Sequence, residues 1–448
     1  MVLKYVGNSV QKLYDTETSS TSMYSLIMGD DVDETDEIEE KRRRVNWRKK
    51  TGWVDEGSLQ DKAVLEVYYI DVGQGDSTFI VTPARKTVLI DGGENFQALK
   101  FLSWKYRLSE SDPGDKLVID LLVLTHPDED HINGLIHVLN NEKIQVNKIM
   151  HSGVGVYKTS KYKNKTGELT PLISRVKYLK TIHNDTSTLV DGEISDKFKE
   201  WKDAINSHQN LIYERVDSST PSFKLGDPDV TFEILGPIKY TIYGEDTLRW
   251  FTNCSKNRNG NSVIVKLTYN KTVFLFSGDV NEISQKKYCE DENVDDIFDS
   301  HVLKAPHHGS HEYHDEWLMA VNPQISIISS GDQQDHGHPR AVFLGKIGQV
   351  SRSKSPLLFS TEIARTFVDV KDNLKEEFEV TNEVLENIDD DLLEKIRLLY
   401  KKRLNGMINV RSDGESLFTA RRISSGQRWE YYDNIAPVPR TDFKKNND

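Results

Sequence analysis

Leu117-Val118-Ile119-Asp120-Leu121-Leu122-Val123-Leu124, followed by Thr125-His126-Pro127-Asp128-Glu129-Asp130-His131, is the stretch on which the reading of this chain turns. Its first half is apolar except for Asp120, close to the continuous run of a strand buried on both faces. Its second half carries four metal-capable side chains, His126, Asp128, Asp130 and His131, within six residues. His126 and Asp128 stand two apart on extended backbone, so both point the same way. Asp130 and His131 open a helix in which Ile132, Leu135, Ile136 and Leu139 recur at helical spacing. Carboxylates and imidazoles at the end of a buried strand need partners, and a divalent metal ion supplies them. The plain alternative is an acidic turn with two surface histidines.

Three further runs end in the same manner. Val88-Leu89-Ile90 stops at Asp91-Gly92-Gly93, Thr272–Phe276 at Ser277-Gly278-Asp279, and Val302-Leu303-Lys304-Ala305-Pro306 at His307-His308-Gly309-Ser310. Strands alternate with helices through this region, which predicts an α/β fold of layered sheets with helices outside. Strand ends carrying such groups converge on one rim.

With 448 residues and 37% apolar content, the chain is long enough for two or three domains. Its net charge of −13 argues against a surface coated for nucleic acid, though not against a local basic groove. No run approaches the roughly 18 apolar residues of a membrane helix. The start has no apolar signal-peptide core, and the two cysteines, Cys254 and Cys289, are too few for a disulfide framework. A cytoplasmic protein without membrane association is expected.

Residues 1–60 read separately: strand-like pieces at Tyr24–Met28, Val45–Trp47 and Gly52–Val54 alternate with a charged loop from Asp30 to Arg44. Gly29-Asp30, the tryptophan strand, Thr51-Gly52-Trp53-Val54 and Leu59 resemble a bacterial SH3-like module. The hydrolase domain is expected over 61–370. An amphipathic helical insertion is expected over 371–405, on Val380, Val384, Ile388, Leu392 and Ile396, and closing strands and a tail over 406–448.

The strand-end pattern resembles the metallo-β-lactamase superfamily. Val72-Gly73-Gln74-Gly75-Asp76-Ser77, Ile90-Asp91-Gly92-Gly93, the His-x-Asp-x-Asp-His segment, Asn261-Ser262, Phe276-Ser277-Gly278-Asp279, Leu303 to Ser310 and Gly337-His338-Pro339 resemble, in order, the hydrolase domain of ComEC-type DNA-uptake proteins. The resemblance implies a four-layered αββα sandwich, preceded here by the small β-rich SH3-like domain. It implies that His126 and Asp128 hold one metal ion, that Asp130 and His131 hold a second, and that Asp279 bridges them. One histidine of the His307-His308 pair, His308 in the leading assignment, completes the set. Asp91 and Asp76 would stand behind the ligands, with Asp91 orienting a histidine. Asp130, His307 and His338 are the candidate catalytic groups, with His307 or His338 supplying the leaving group's proton.

Two departures matter. Asp128 replaces the family's usual histidine, and the harder oxygen donor favours manganese or magnesium, with zinc still open. A further histidine usual in two-metal members has no evident counterpart; His151, His183 and His208 are the available ones, so one or two ions are expected.

Lys158, Lys161, Tyr162, Lys163 and Lys165 interleave cations with aromatic rings and are candidate nucleic-acid contacts. The leading expectation is a metal-dependent DNA nuclease, in prokaryotic defence or nucleic-acid processing, with a protein partner at the N-terminal module or the acidic helix. A small-molecule or cyclic-nucleotide phosphodiesterase is the alternative. A lactonase or β-lactamase is disfavoured by Asp128 and the missing histidine. Oligomeric state is not legible.

Overall fold

The computed structural model describes residues 1–112, 114–331, 337–361, 406–422 and 429–440. Two sheets face each other. In the first, the parallel strands Thr87–Ile90, Leu121–Leu124, Lys148–His151 and Ile212–Arg215 lie side by side, and antiparallel strands continue the sheet through Leu65–Tyr69 to Ile408–Ser412, Leu417–Arg422 and Trp429–Ile435. In the second, Val230–Gly236 and Ile264–Tyr269 lead into the parallel strands Thr272–Phe276, Val302–Lys304, Ile325–Ile328 and Leu357–Ser360.

Alternation along each strand divides the apolar residues between layers. Leu121 and Val123 face the second sheet, in a core shared with Val265, Phe274, Phe276, Val302 and Ile325. Leu122 and Leu124 face outward, onto the helices Gln97–Tyr106, Glu129–Leu139 and Asp196–Asn206 through Phe101, Leu135 and Trp201. Leu303 and Ile328 do the same on the far side, beneath Trp317 and Phe343 of Asp315–Val321 and Ala341–Val350. The result is the αββα sandwich.

The N-terminal region is β-rich and forms its own seven-stranded sheet around Val6, Leu13, Leu26, Val32, Val45 and Val54. The charged run expected as a loop is a strand, Asp31–Glu39, in a hairpin with Arg42–Trp47. Opposite charges on neighbouring strands explain the correction: Arg43 meets Glu34 at 2.8 Å and Arg44 meets Glu37 at 2.7 Å. Glu40 and Lys41 turn the hairpin with φ of 49° and 67°, matching the twist of the flanking strands. The expected helix over 371–405 lies outside the described residues.

Candidate metal centre

Parallel strands end on the same edge, so both sheets deliver their C-terminal loops to one rim. There, Asp91 follows Thr87–Ile90, His126 follows Leu121–Leu124, Asp279 follows Thr272–Phe276, and the His307-His308 turn follows Val302–Lys304. The helix Glu129–Leu139 starts at this rim and is seated tightly on the Asp91-Gly92-Gly93 turn. Gly134 N–H donates to Gly93 O at 2.9 Å, and Gly92 N–H to His131 O at 2.8 Å. A Cβ on Gly134 would lie 1.9 Å from Gly92 O, so only glycine permits this approach. His307 and His308 take left-handed backbone, φ 46° and 54°, and this turn presents the pair to the rim.

Asp279 is the centre of the cluster. Its Oδ2 lies 3.2 Å from His308 Nε2, 3.5 Å from His131 Nε2 and 4.0 Å from both His126 Nε2 and His307 Nε2. His308 Nε2 also approaches Asp130 Oδ2 at 3.5 Å. Donor atoms of Asp130, His131 and His308 lie within 4.8 Å of one another, as do those of His126, His131 and Asp279, and of Asp76, Asp279 and His308. The histidines are oriented from behind: Asp91 Oδ2 faces His131 Nδ1 at 2.8 Å, and Ser329 O faces His308 Nδ1 at 3.0 Å. Three inward imidazole nitrogens, Nε2 of His126, His131 and His308, are buried without a hydrogen-bond partner, as is Asp279 Oδ1. Buried polar atoms are normally satisfied, so lone pairs gathered in this way fit a divalent cation.

The electrostatics agree. Burial alone would lower His131 and His308, but Asp279, with Asp91 and Asp130 around His131, outweighs it and raises both. Burial and the adjacent His131 hold His126 down to about 3. Burial would raise Asp279, yet His308 and His131 hold it well below the usual carboxylate range.

Three side chains that sequence reasoning passes over complete the arrangement. Lys304 is buried and donates to Asp76 and to Gly278 O at 3.2 Å, 3.8 Å from Asp279 Oδ1, and burial holds its pKa well below the usual lysine range. Its one signal is a lone lysine in an apolar strand. Arg258 donates to Asp128 Oδ1, leaving Asp128 Oδ2 at 3.8 Å from His126 Nε2. Asp128 thus occupies the helix N-cap without capping it. Gln74 Nε2 donates to Asp130 Oδ2 at 2.9 Å.

His338 lies beside the cluster, its ring 5.5 Å from that of His307 and 6.2 Å from that of His308. The three histidines considered for the missing ligand are elsewhere. His151 stacks on Tyr213 at 3.9 Å and on His183 at 4.7 Å, and His208 Nε2 faces Leu139 O at 2.8 Å. In the lysine loop, Lys158 pairs with Asp196 at 2.9 Å and Lys161 with Glu193 at 2.7 Å, while Tyr162 packs on the helical core; Lys163 and Lys165 are exposed.

The sandwich and its rim of carboxylates and imidazoles fit a divalent metal ion, and residues 70–209 match the family described as the metallo-beta-lactamase superfamily. Among particular proteins, the chain is similar to ComE operon protein 3 of Bacillus subtilis (strain 168), with 25% identity over 289 residues. That alignment covers 61% of this chain but 29% of the relative, so the chain spans less than a third of the relative's length. A metallo-beta-lactamase of Cronobacter sakazakii is also similar, at 10% identity and a TM-score of 0.25, covering 75% of this chain and 93% of that one. No described helix is long and apolar enough to cross a membrane.

Proposed function

We propose that this protein is a metal-dependent phosphodiester hydrolase acting on DNA. The observation that carries the reading is the mixed donor set at the rim: three carboxylates, Asp128, Asp130 and Asp279, beside three imidazoles, His126, His131 and His308. Such a set favours manganese or magnesium over zinc, because carboxylate oxygen suits the harder cations. Asp130, His131, His308 and Asp279 would hold the stronger ion. His126 and Asp128 would hold a weaker one, since Arg258 already engages one Asp128 oxygen. When bound, the metal supplies charge stabilisation and an activated water for attack on phosphorus.

The chain's own groups supply orientation and protons. Asp91 fixes His131 with Nε2 toward the cluster, and Lys304 holds Asp76 beside His308. His307, partly exposed and 4.0 Å from Asp279, is positioned to give a proton to the leaving oxygen when protonated, with His338 next to it. The ordered motifs resembling ComEC-type hydrolase domains support DNA as substrate. The N-terminal sheet, read as SH3-like, is suited to a protein partner.

A second reading, a phosphodiesterase for small or cyclic nucleotides, is favoured by the lysine loop, where Asp196 and Glu193 neutralise Lys158 and Lys161. The test is incubation of the full chain with single- and double-stranded DNA, RNA and cyclic dinucleotides, each with manganese, magnesium or zinc. Cleavage of DNA that disappears in Asp279→Ala is expected. Cleavage of dinucleotides alone would move the reading to the second, and silence on every substrate would overturn both.

A further inference from the structure

Away from the metal cluster, a cavity of about 770 Å³ lies between the N-terminal sheet, the end of the helix Gln97–Tyr106 and the outer face of the first sheet. Such a volume is that of a small-molecule site. Its floor is Asn409. Ile408 and Val410 point into the inter-sheet core, so Asn409 and Arg411 point the other way, toward the cavity. Asn409 is 1% exposed, and both its amide nitrogen and its amide oxygen lack a hydrogen-bond partner, as does Arg411 Nε. A buried amide with neither group satisfied is rare unless a ligand or water completes it.

The walls add rings and cations. Arg48 lies over the Trp104 indole at 4.4 Å and the Trp47 indole at 5.9 Å, and Trp104 is 39% exposed. The lining carries five basic residues against three acidic ones, in a chain of net charge −13. Lys105 and Arg411 are engaged by Glu66 and Asp30, and Arg107 by Glu110, whereas Arg48 and Lys50 form no described ion pair, although Arg48 donates to the Trp104 carbonyl and lies in the field of Asp30 and Asp31. An unsatisfied donor and acceptor side by side, flat indoles and two cations outside any described ion pair together match one ligand chemistry. The amide reads the edge of a base, an indole stacks on its face, and the cations take a phosphate.

We propose that this cleft binds a mononucleotide, with its base on Asn409 and Trp104 and its phosphate toward Arg48 and Lys50. None of its lining residues belongs to the metal cluster, so the proposal stands apart from the hydrolytic reading.

The test is calorimetric titration of the full chain, in EDTA to silence the metal centre, with AMP, GMP, CMP and UMP, and with adenosine and inorganic phosphate as half-ligands. At least one nucleotide is expected to bind, with its nucleoside and phosphate each weaker by roughly tenfold or more. Asn409→Ala should weaken it by about tenfold. Lys50→Ala, at an exposed position that leaves the fold intact, should weaken the nucleotide but not the nucleoside. Asp279→Ala should leave binding unchanged. Three results would overturn the proposal: no binding of any nucleotide at about 1 mM, phosphate alone binding as well as the nucleotide, or binding lost in Asp279→Ala but kept in Asn409→Ala and Lys50→Ala.

Discussion

Replacing Asp91 by asparagine changes almost no volume, yet it should weaken metal binding at the centre. The Asp91 carboxylate is 1% exposed; Oδ1 accepts the Thr125 N–H at 2.8 Å, and Oδ2 accepts the Thr125 hydroxyl at 2.7 Å while facing His131 Nδ1 at 2.8 Å. The Thr125 N–H can only donate, so the amide oxygen of asparagine must take the Oδ1 place. Its NH₂ then faces His131 Nδ1, and the only compatible arrangement has Nδ1 accepting and the ring proton on Nε2. That is the atom 3.5 Å from Asp279 Oδ2 that would otherwise bind the metal. Loss of such an orienting partner lowers metal affinity about 10- to 100-fold, or about 1.4–2.7 kcal/mol. The assay is competition for manganese and zinc against a fluorescent chelator, with circular dichroism to show that the variant is folded. Asp91→Ala, which imposes no tautomer, should lose less metal affinity than Asp91→Asn. An Asp91→Asn protein binding both metals within about twofold of wild type would refute the reasoning, because it would show that Asp91 does not set the His131 proton.

Glu66 is buried between Arg85 and Lys105, each at 2.9 Å, and although burial would raise it, these cations with Arg411 hold its pKa down at about 2 against an ordinary 4.5. A depressed folded-state pKa means stability present above the unfolded value and lost as pH falls from about 4.5 to about 2, some 3 kcal/mol in all (order of magnitude). Urea unfolding at stepped pH should show this slope in wild type and a flatter one in Glu66→Gln. Gly134→Ala would place a methyl 1.9 Å from Gly92 O. It should destabilise the protein by about 1–3 kcal/mol and weaken metal binding with it, as read by thermal unfolding with and without manganese. Arg258→Ala removes the cation that opposes the burial-driven rise of the Asp128 pKa. Its loss of hydrolysis, about tenfold, should be greater at pH 6, where more of Asp128 is protonated, than at pH 8; an equal loss at both pH values would count against a role for that carboxylate.

What can be read in the sequence is whatever is contiguous. A buried strand ending in a metal-capable residue is a local pattern, and four such patterns point Asp91, His126, Asp279 and His308 toward one rim from the order of residues alone. Misreading begins where a local pattern has two physical solutions. The charged run Asp31–Glu39 reads as a loop because its partners Arg43 and Arg44 lie on another strand, and only the pairing turns repelling charges into cross-strand ion pairs. His151 looks available because it follows an apolar strand, but its ring is taken up by Tyr213 and His183.

The contacts that tune the centre are illegible for a related reason: they join residues far apart in the chain, Lys304 to Asp76 across 228 positions and Arg258 to Asp128 across 130. Both set a basic side chain against a carboxylate of the rim. A centre holding Asp76, Asp128, Asp130 and Asp279 so close together would, without them, meet strong mutual repulsion before any metal arrived. Arg258 neutralises Asp128, and Lys304 donates a hydrogen bond to Asp76. Asp130 and Asp279 are the two carboxylates that His131 and His308 approach. Arg258 thereby takes up one rim acid, and Asp130 and Asp279 are left facing the imidazoles that would share a metal ion with them.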